Sequence, residues 1–212
     1  AGQAVIAIEN VRLFKELEAR NSEVTEALRQ QTATAEILKV ISSSPTDTQP
    51  VFDAILEGAA RLCDSHLGTI GTYDGEKHQY VAVRTGNADV EKWVLDREPF
   101  RPHPGGFLSK VLESGEPVEI ADLKESVGYR DRRPLQTLLV EQIGVRAHLS
   151  VPMLKEGRTI GTISIYRVEV RPFTQKEIDL VVTFADQAVI AIENVRLFKE
   201  LQARNADVTE AL

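Results

Sequence analysis

The side chains able to do chemistry are few and scattered. There are four histidines, His66, His78, His103 and His148, and one cysteine, Cys63. A zinc or iron site draws its ligands from paired spacings, and only Cys63-x-x-His66 approaches one, as an isolated half-motif. No metal site is expected. A lone cysteine cannot close an internal disulfide, which agrees with a reducing cytoplasm. With Phe52, Ile55, Leu56, Ala59 and Leu62 it falls on the apolar side of a predicted helix and reads as core. No phosphate loop of the G-x-x-x-x-G-K-[ST] type, dinucleotide fingerprint, H-E-x-x-H pair or nucleophile elbow occurs. Gly105-Gly106 follows a proline-rich loop rather than a strand, so it reads as a turn or helix start. No catalytic residue is assigned, and the chain is read as a non-enzyme.

Two groups remain as candidate ligand contacts. His148 and Ser150 lie two residues apart in a predicted strand and so share one sheet face. If Lys155 pairs with Arg158 across the following turn, that face also carries Gly161, Ile163 and Ile165. His148 is then either an ordinary sheet residue with a satisfied hydrogen bond or a pocket contact. The second group is a loop holding Tyr129, Arg130, Arg132 and Arg133. Arginine beside tyrosine suits a carboxylate or phosphate, although a solvated loop on an acidic protein has the same composition. Trp93, on a short predicted helix, reads as a core plug or lid.

The elements that position these residues form a helical arm, a mixed core and a second arm. Residues 1–42 hold no Pro and no Gly beyond Gly2 and are rich in good helix formers. Ser42-Ser43-Ser44-Pro45 ends that helix. A helix from Pro50 to Asp64 follows, capped by Asp47 or Thr48. Strands are predicted over Leu67–Tyr73 and His78–Arg84 around Asp74-Gly75. A short helix spans Asp89–Asp96, and the prolines of Pro99–Pro104 impose irregular chain. A helix follows Gly105-Gly106 to Glu113. Val118–Ile120 is a short strand, Asp122–Arg133 a polar loop and Leu135–Ile143 a helix. Val145–Leu154 and Thr159–Val168 form a hairpin about Glu156-Gly157. Thr174 with Glu177 forms a capping box for the last helix.

Charge and composition narrow the class. The net charge of −7 without any Lys/Arg run argues against a nucleic-acid or anionic-membrane surface. No apolar stretch is long enough to insert in a membrane. The 42% hydrophobic fraction is that of an ordinary globular protein. A cytoplasmic location is expected.

The first and last helices are near copies. Gln3–Leu28 and Gln187–Leu212 match at 23 of 26 positions with an offset of 184 residues. The differences are Glu18/Gln202, Ser22/Ala206 and Glu23/Asp207. The offset is too long for a solenoid repeat and corresponds to a domain plus a connecting helix. The chain reads as one module of a tandem array.

The ordered set of segments PVFDAILEGAARLC, Leu67–Asp74, ESGEPVEIADL and VRAHLSVPMLKEGRTIGTISIYRVEVRPFTQKEIDLVVTFADQAVIAIENVRLF resembles the GAF domain. The linker QQTATAEILKVISSSPTDTQPVFDAI is similar to those of bacterial sensor proteins with several GAF domains in series, such as sensor histidine kinases or nucleotide cyclases. The resemblance implies an α+β fold. In it a central, mostly antiparallel sheet packs on long N- and C-terminal helices and opens a small-molecule pocket on its other face. It implies three parts. Residues 1–44 are the terminal helix of a preceding module plus a linker helix, 45–186 the sensory domain, and 187–212 a signalling helix leading to the next module. The ligand contacts assigned on this basis are His148, Ser150, Tyr129, Arg130 and Arg133.

No cofactor is assigned. Lys124–Ser150 contains no cysteine for a covalent bilin, and no convincing haem ligand is present. The Asn-Lys…Phe-x-x-x-Asp-Glu motif of cyclic-nucleotide-binding relatives is incomplete, since Phe173 is followed by Glu177-Ile178. An enzyme resembling the free methionine sulfoxide reductase branch needs several pocket cysteines and finds only Cys63.

A seam along the arms carries the assembly reading. Phe14, Leu17, Asn21, Val24 and Leu28, continued by Gln31, Ala35 and Leu38, keep a seven-residue period. The duplicate seam is Phe198, Leu201, Asn205, Val208 and Leu212. An asparagine at an a-type position favours a parallel, in-register dimer at a cost in stability. The expected partners are a second copy in a parallel homodimer and adjacent GAF and output domains of the same chain. The function read here is a sensory and dimerisation module that binds a small molecule or relays a signal through a parallel helix pair. The alternative is a ligand-free dimeric spacer in a tandem array.

Overall fold

The computed structural model describes the backbone of residues 2–65 and 67–210; the side chains of residues 1–5, 7, 66 and 205–212 are outside the description. His66, Asn205, Val208 and Leu212, named above, therefore lie outside the described residues. Two compact units are present, Ala1–Glu36 and Ile37–Leu212.

Helix α1 spans Gly2–Ser43. In the first unit the large apolar residues Ile6, Ile8, Val11, Leu13, Phe14, Leu17, Val24 and Leu28 are exposed. The second unit is built on a five-stranded antiparallel sheet in the order β2-β1-β5-β4-β3. Its strands are β1 (Leu67–Tyr73), β2 (His78–Arg84), β3 (Val118–Ile120), β4 (Ala147–Lys155) and β5 (Arg158–Arg167). The fold class is the α+β arrangement expected from the sequence.

One face of the sheet is dry. Leu149, Val151 and Met153 of β4, Ile163 and Ile165 of β5 and Ile70 of β1 are buried. They lie under helices α2 (Gln49–Leu62) and α7 (Gln175–Glu210). Helix α7 meets the sheet through a stripe of mostly small residues, Val181, Phe184, Ala185, Ala188, Ala191 and Val195, all buried. Gly58 of α2 admits the Phe184 ring, since a Cβ there would stand 3.3 Å from Phe184 Cζ. Each large side chain fully buried here contributes roughly 1.5–3 kcal/mol.

The other face carries α3 (Ala88–Leu95), α4 (Phe107–Ser114) and the segment 122–143. That segment differs from the expected polar loop. Asp122 accepts from Lys124 N–H at 3.0 Å and starts a 3₁₀ turn, Leu123–Glu125. Ser126 Oγ accepts from Tyr129 N–H at 3.2 Å and starts α5, Val127–Arg130. Two short polar side chains thus convert loop into helical turns. The predicted helix over Leu135–Ile143 is α6 (Pro134–Leu138) followed by a π-helical turn, Leu139–Ile143, closed by Gly144 at φ 83°.

The largest correction is one of register. The Glu156-Gly157 turn has positive φ at both positions (50° and 76°), and Lys155 pairs with Arg158 as expected. A bulge then intervenes between Met153 and Leu154, so that Met153 pairs with Gly161 and Leu154 with Thr159. One extra residue in β5 reverses the sides of every residue beyond it. His148 and Ser150 therefore face Tyr166 and Ser164, not Gly161, Ile163 and Ile165.

The start of α7 is fixed by two devices. Thr174 N–H donates to Glu177 Oε2 at 2.8 Å, and Glu177 N–H donates to Thr174 Oγ1 at 3.3 Å, which is the reciprocal capping box. Arg167, at the end of β5, is buried and forms an ion pair with Glu177. Its guanidinium also donates to the carbonyls of Cys63 (2.8 Å), Pro172 (3.0 Å) and Arg171 (3.3 Å).

Candidate ligand cavity

The bulge determines the chemistry of the open sheet face. It gathers Thr162, Ser164 and Tyr166 of β5 beside His148 and Ser150 of β4. These five residues form the floor of a cavity of about 590 Å³. That volume suits an organic molecule of metabolite or drug size. The floor is linked by hydrogen bonds. Ser164 Oγ donates to Ser150 Oγ at 2.9 Å, and Thr69 Oγ1 and the Tyr166 hydroxyl share a bond of 3.0 Å. Burial raises the Tyr166 phenol above its ordinary range. Burial pushes Tyr80, which also lines the cavity, up as well, with Tyr166 adding to the rise. Both phenols stay neutral and can donate or accept.

His148 is buried between two aromatic rings, with centroids 4.3 Å from Phe107 and 4.5 Å from Tyr166. Among the described residues its Nε2 has no hydrogen-bond partner. Desolvation lowers its pKa to about 3, so the imidazole is neutral. His78 sits at the other end of the same face. It is fully buried, shares a 3.1 Å bond between Nε2 and Thr162 Oγ1, and has its pKa lowered to about 4 by desolvation. Gly71 makes room for it, because a Cβ at that position would stand 2.1 Å from His78 Cε1.

The walls are mixed. Phe100, Phe107, Leu135, Leu139, Val118 and Ile120 supply apolar surface, and Arg97, Arg101 and Arg133 supply positive charge. Arg101 forms an ion pair with Glu76, and Arg133 contacts Asp131 at 3.4 Å. Arg97 lies over the rings of Trp93 (4.8 Å) and Phe100 (5.2 Å). Gly106 lets Arg133 Nη1 approach the uncapped start of α4, at 3.2 Å from where a Cβ would stand. Asp122 also lines the cavity; Arg146, which donates to both its oxygens, holds its carboxyl below the usual range.

Of the five residues named from the sequence, His148, Ser150 and Arg133 line this cavity. Tyr129 and Arg130 are not among the lining residues. Tyr129 packs instead against a buried cluster that contains Leu123, Leu139 and Tyr166, and Arg130 is exposed. The reason is local: the Ser126 cap coils the backbone into α5 and turns Tyr129 inward. Trp93 is also exposed rather than a core plug, and covers no part of the cavity. The sequence reading missed Thr162, Ser164 and Tyr166. Their signal was present as the alternation Thr-Ile-Ser-Ile-Tyr, with three hydroxyls on one side and two isoleucines on the other.

A family model of the GAF domain matches residues 45–193. The chain belongs to the GAF domain family. Solved structures share the fold at low identity. The GAF domain of a phosphoenolpyruvate-protein phosphotransferase from Coxiella burnetii is 17% identical, with a TM-score of 0.65 over 82% of this chain and 98% of that one. A GAF domain/HD domain protein from Geobacter sulfurreducens is 18% identical, with a TM-score of 0.61 over 73% and 97%. A methyl-accepting chemotaxis protein fragment is 22% identical, with a TM-score of 0.60 over 79% and 98%. In this GAF domain no described helix is long and apolar enough to cross a membrane. Among the described residues, no cluster of three or more His, Cys, Asp or Glu is placed to hold a metal ion.

Proposed function

We propose that this GAF domain is a non-catalytic sensory and dimerisation module of a multidomain signalling protein. It binds a small organic molecule in the cavity above β4 and β5 and passes the response to α7. The parent is read as a cytoplasmic sensor with neighbouring GAF domains and a separate output domain, such as a histidine kinase or nucleotide cyclase. The observation that carries the proposal is the two-sidedness of the central strands. His148, Ser150, Thr162, Ser164 and Tyr166 face the cavity, while Leu149, Val151, Ile163 and Ile165 of the same strands are buried on the side of α7. A spacer needs no enclosed space with converging hydroxyls; a receptor does.

The ligand class supported is a molecule with an apolar, flat body and a hydrogen-bonding or anionic edge. The body fits among Phe100, Phe107 and Leu135. The edge fits the hydroxyl floor and the Arg97 and Arg133 guanidiniums. Binding shifts the helix pair only if the ligand favours one arrangement over the other. Lys155, at the hairpin tip, ties β4 to α7 through Glu193 at 2.6 Å, and Arg167 ties the end of β5 to the helix start. Both are routes by which a strand shift reaches α7.

Native mass spectrometry of the purified protein, followed by ligand titration, tests the cavity. Ser164→Val should weaken a bound molecule by roughly tenfold, the value of one hydrogen bond near 1.4 kcal/mol. A ligand that binds equally well to Ser164→Val and to His148→Ala sinks the assignment, and no ligand at all supports the spacer. For assembly, Asn21→Cys should cross-link two copies in parallel register through the Phe14, Leu17, Asn21, Val24 and Leu28 seam. A monomer by sedimentation at tens of micromolar, or an antiparallel cross-link, refutes the seam.

A further inference from the structure

Of six buried side-chain polar atoms without a hydrogen-bond partner among the described residues, two belong to residues lining the cavity, Arg97 Nε and His148 Nε2. A polar atom removed from water without a partner costs free energy, and a ligand that supplies the partner recovers it. The two atoms serve different parts of the floor. His148 is on β4, whereas Arg97 lies over Phe100, whose ring centroid is 5.9 Å from that of Tyr80 on β2.

Arg97 is arranged to receive an anion. It follows α3, is half-buried, and lies over the rings of Trp93 at 4.8 Å and Phe100 at 5.2 Å. Aromatic faces hold a planar guanidinium in place without using its N–H groups. The adjacent acid, Asp96, pairs with Lys92 at 2.8 Å. Arg101 and Arg133, the other cavity arginines, pair with Glu76 and Asp131, and Arg146 occupies the Asp122 carboxylate. Among the described residues no carboxylate pairs with Arg97. A guanidinium receives a carboxylate through two parallel N–H···O bonds, one of which can come from Nε. Its single charge balances a carboxylate and leaves a phosphate dianion half neutralised.

The other end asks for a neutral group. The His148 imidazole is uncharged and is held between Phe107 and Tyr166, while the nearby Ser150 and Ser164 hydroxyls are bonded to each other. A hydroxyl or carbonyl satisfies Nε2; a second acid would find no countercharge there. Strands β2 and β4 are separated by β1 and β5, so the two ends lie about 14 Å apart at backbone level, three strand spacings. Two fused rings with a substituent at each end match that span better than one ring.

We propose that the cavity ligand is an aromatic monocarboxylate: Arg97 receives its acid, the apolar walls its fused-ring body, and His148 Nε2 a hydroxyl or carbonyl at the far end. Trp93 is then a positioning residue that acts through Arg97. The proposal rests on the reading of the cavity as a receptor site, and it replaces a general polar edge with one acid at one arginine.

Calorimetry on the 212-residue chain compares 6-hydroxynaphthalene-2-carboxylate with its carboxamide. The acid should bind roughly tenfold more tightly than the amide, the difference between a charge-assisted pair and a neutral bond. Arg97→Gln should abolish that preference while the melting temperature moves by no more than a few degrees, because the guanidinium has no ion pair to lose. Arg97→Lys, which keeps the charge without the fork, should restore only part of it. Trp93→Leu should reduce the preference roughly threefold and leave the amide affinity unchanged, which a purely structural role would not do. His148→Phe should weaken the hydroxy acid roughly tenfold and leave naphthalene-2-carboxylate unaffected. Trp93 is the only tryptophan of the chain, so its indole N–H resonance reports the acid end directly and should shift with the acid. Equal binding of acid and amide, or acid binding unchanged by Arg97→Gln, overturns the proposal and leaves the cavity as a ligand site. Loss of the preference in Arg133→Gln but not in Arg97→Gln also overturns it, by placing the anion at the start of α4. Failure of both compounds to bind at millimolar concentration overturns it as well; if native mass spectrometry then finds no retained molecule, the receptor reading falls with it.

Discussion

Replacing Arg167 with methionine tests whether the sheet and helix α7 are coupled through one buried guanidinium. Methionine keeps much of the side-chain length and removes every donor. In the native protein Arg167 donates to the carbonyls of Cys63, Arg171 and Pro172, forms an ion pair with Glu177, and lies 3.9 Å from the Phe173 ring centroid. Its side chain is 1% exposed and that of Glu177 15%, so water replaces the lost partner poorly. Removing one member of a buried pair costs about 3–5 kcal/mol. The aromatic contact adds about 1 kcal/mol. Part of this is recovered, because Glu177 keeps its capping bonds to Thr174 and a 3.8 Å contact with Arg171. A net loss of about 3–4 kcal/mol is expected. At roughly 2–4 °C per kcal/mol for a protein of this size, the melting temperature falls by about 6–16 °C. Circular dichroism at pH 7 measures it. Hydrogen exchange should show the first turn of α7, residues 175–181, losing protection before the central strands do. Arg167→Lys, which keeps the charge without the planar fork, should recover less than half of the loss. A loss below about 1 kcal/mol, or additive effects of Arg167→Met and Glu177→Gln, would refute the coupling.

Two further outcomes follow from the buried imidazoles and from one close approach. His78 and His148 have folded pKa values of about 4 and about 3, below the ordinary 6.5. Each takes up a proton on unfolding, so its stabilisation is complete above pH 6.5 and is lost as pH falls toward the folded value. Urea midpoints should show a loss on the order of 1–2 kcal/mol per histidine between pH 6.5 and 5, and His148→Phe should remove about half of that slope; an unchanged slope refutes it. Gly71→Ala should cost about 2–4 kcal/mol, because its Cβ would stand 2.3 Å from His78 Nε2 and 3.0 Å from the Gln79 carbonyl. Adding His78→Ala should recover part of this, and a fully additive double variant argues against the steric account.

Several features of this GAF domain were legible in the chain because they depend on local chemistry. The bounds of β1, β2 and β3, the capping box at Thr174 and the Glu156-Gly157 turn follow from alternation, β-branched residues and backbone conformation at neighbouring positions. The duplicated helix is a property of sequence alone. Tertiary structure decided which residues share a face. Whether His148 meets Ile165 or Tyr166 depends on one extra residue accommodated in β5, and a bulge is placed by what both faces must bury. Ile163 and Ile165 belong under α7, and the hydroxyls opposite them then have only the cavity to face. The same holds for Tyr129, turned inward by a serine cap whose helix is too short to leave a periodic pattern. Residue types and turns are local and can be read from the chain, while the side of a strand on which a residue falls is settled only when sheet, helices and cavity are assembled together.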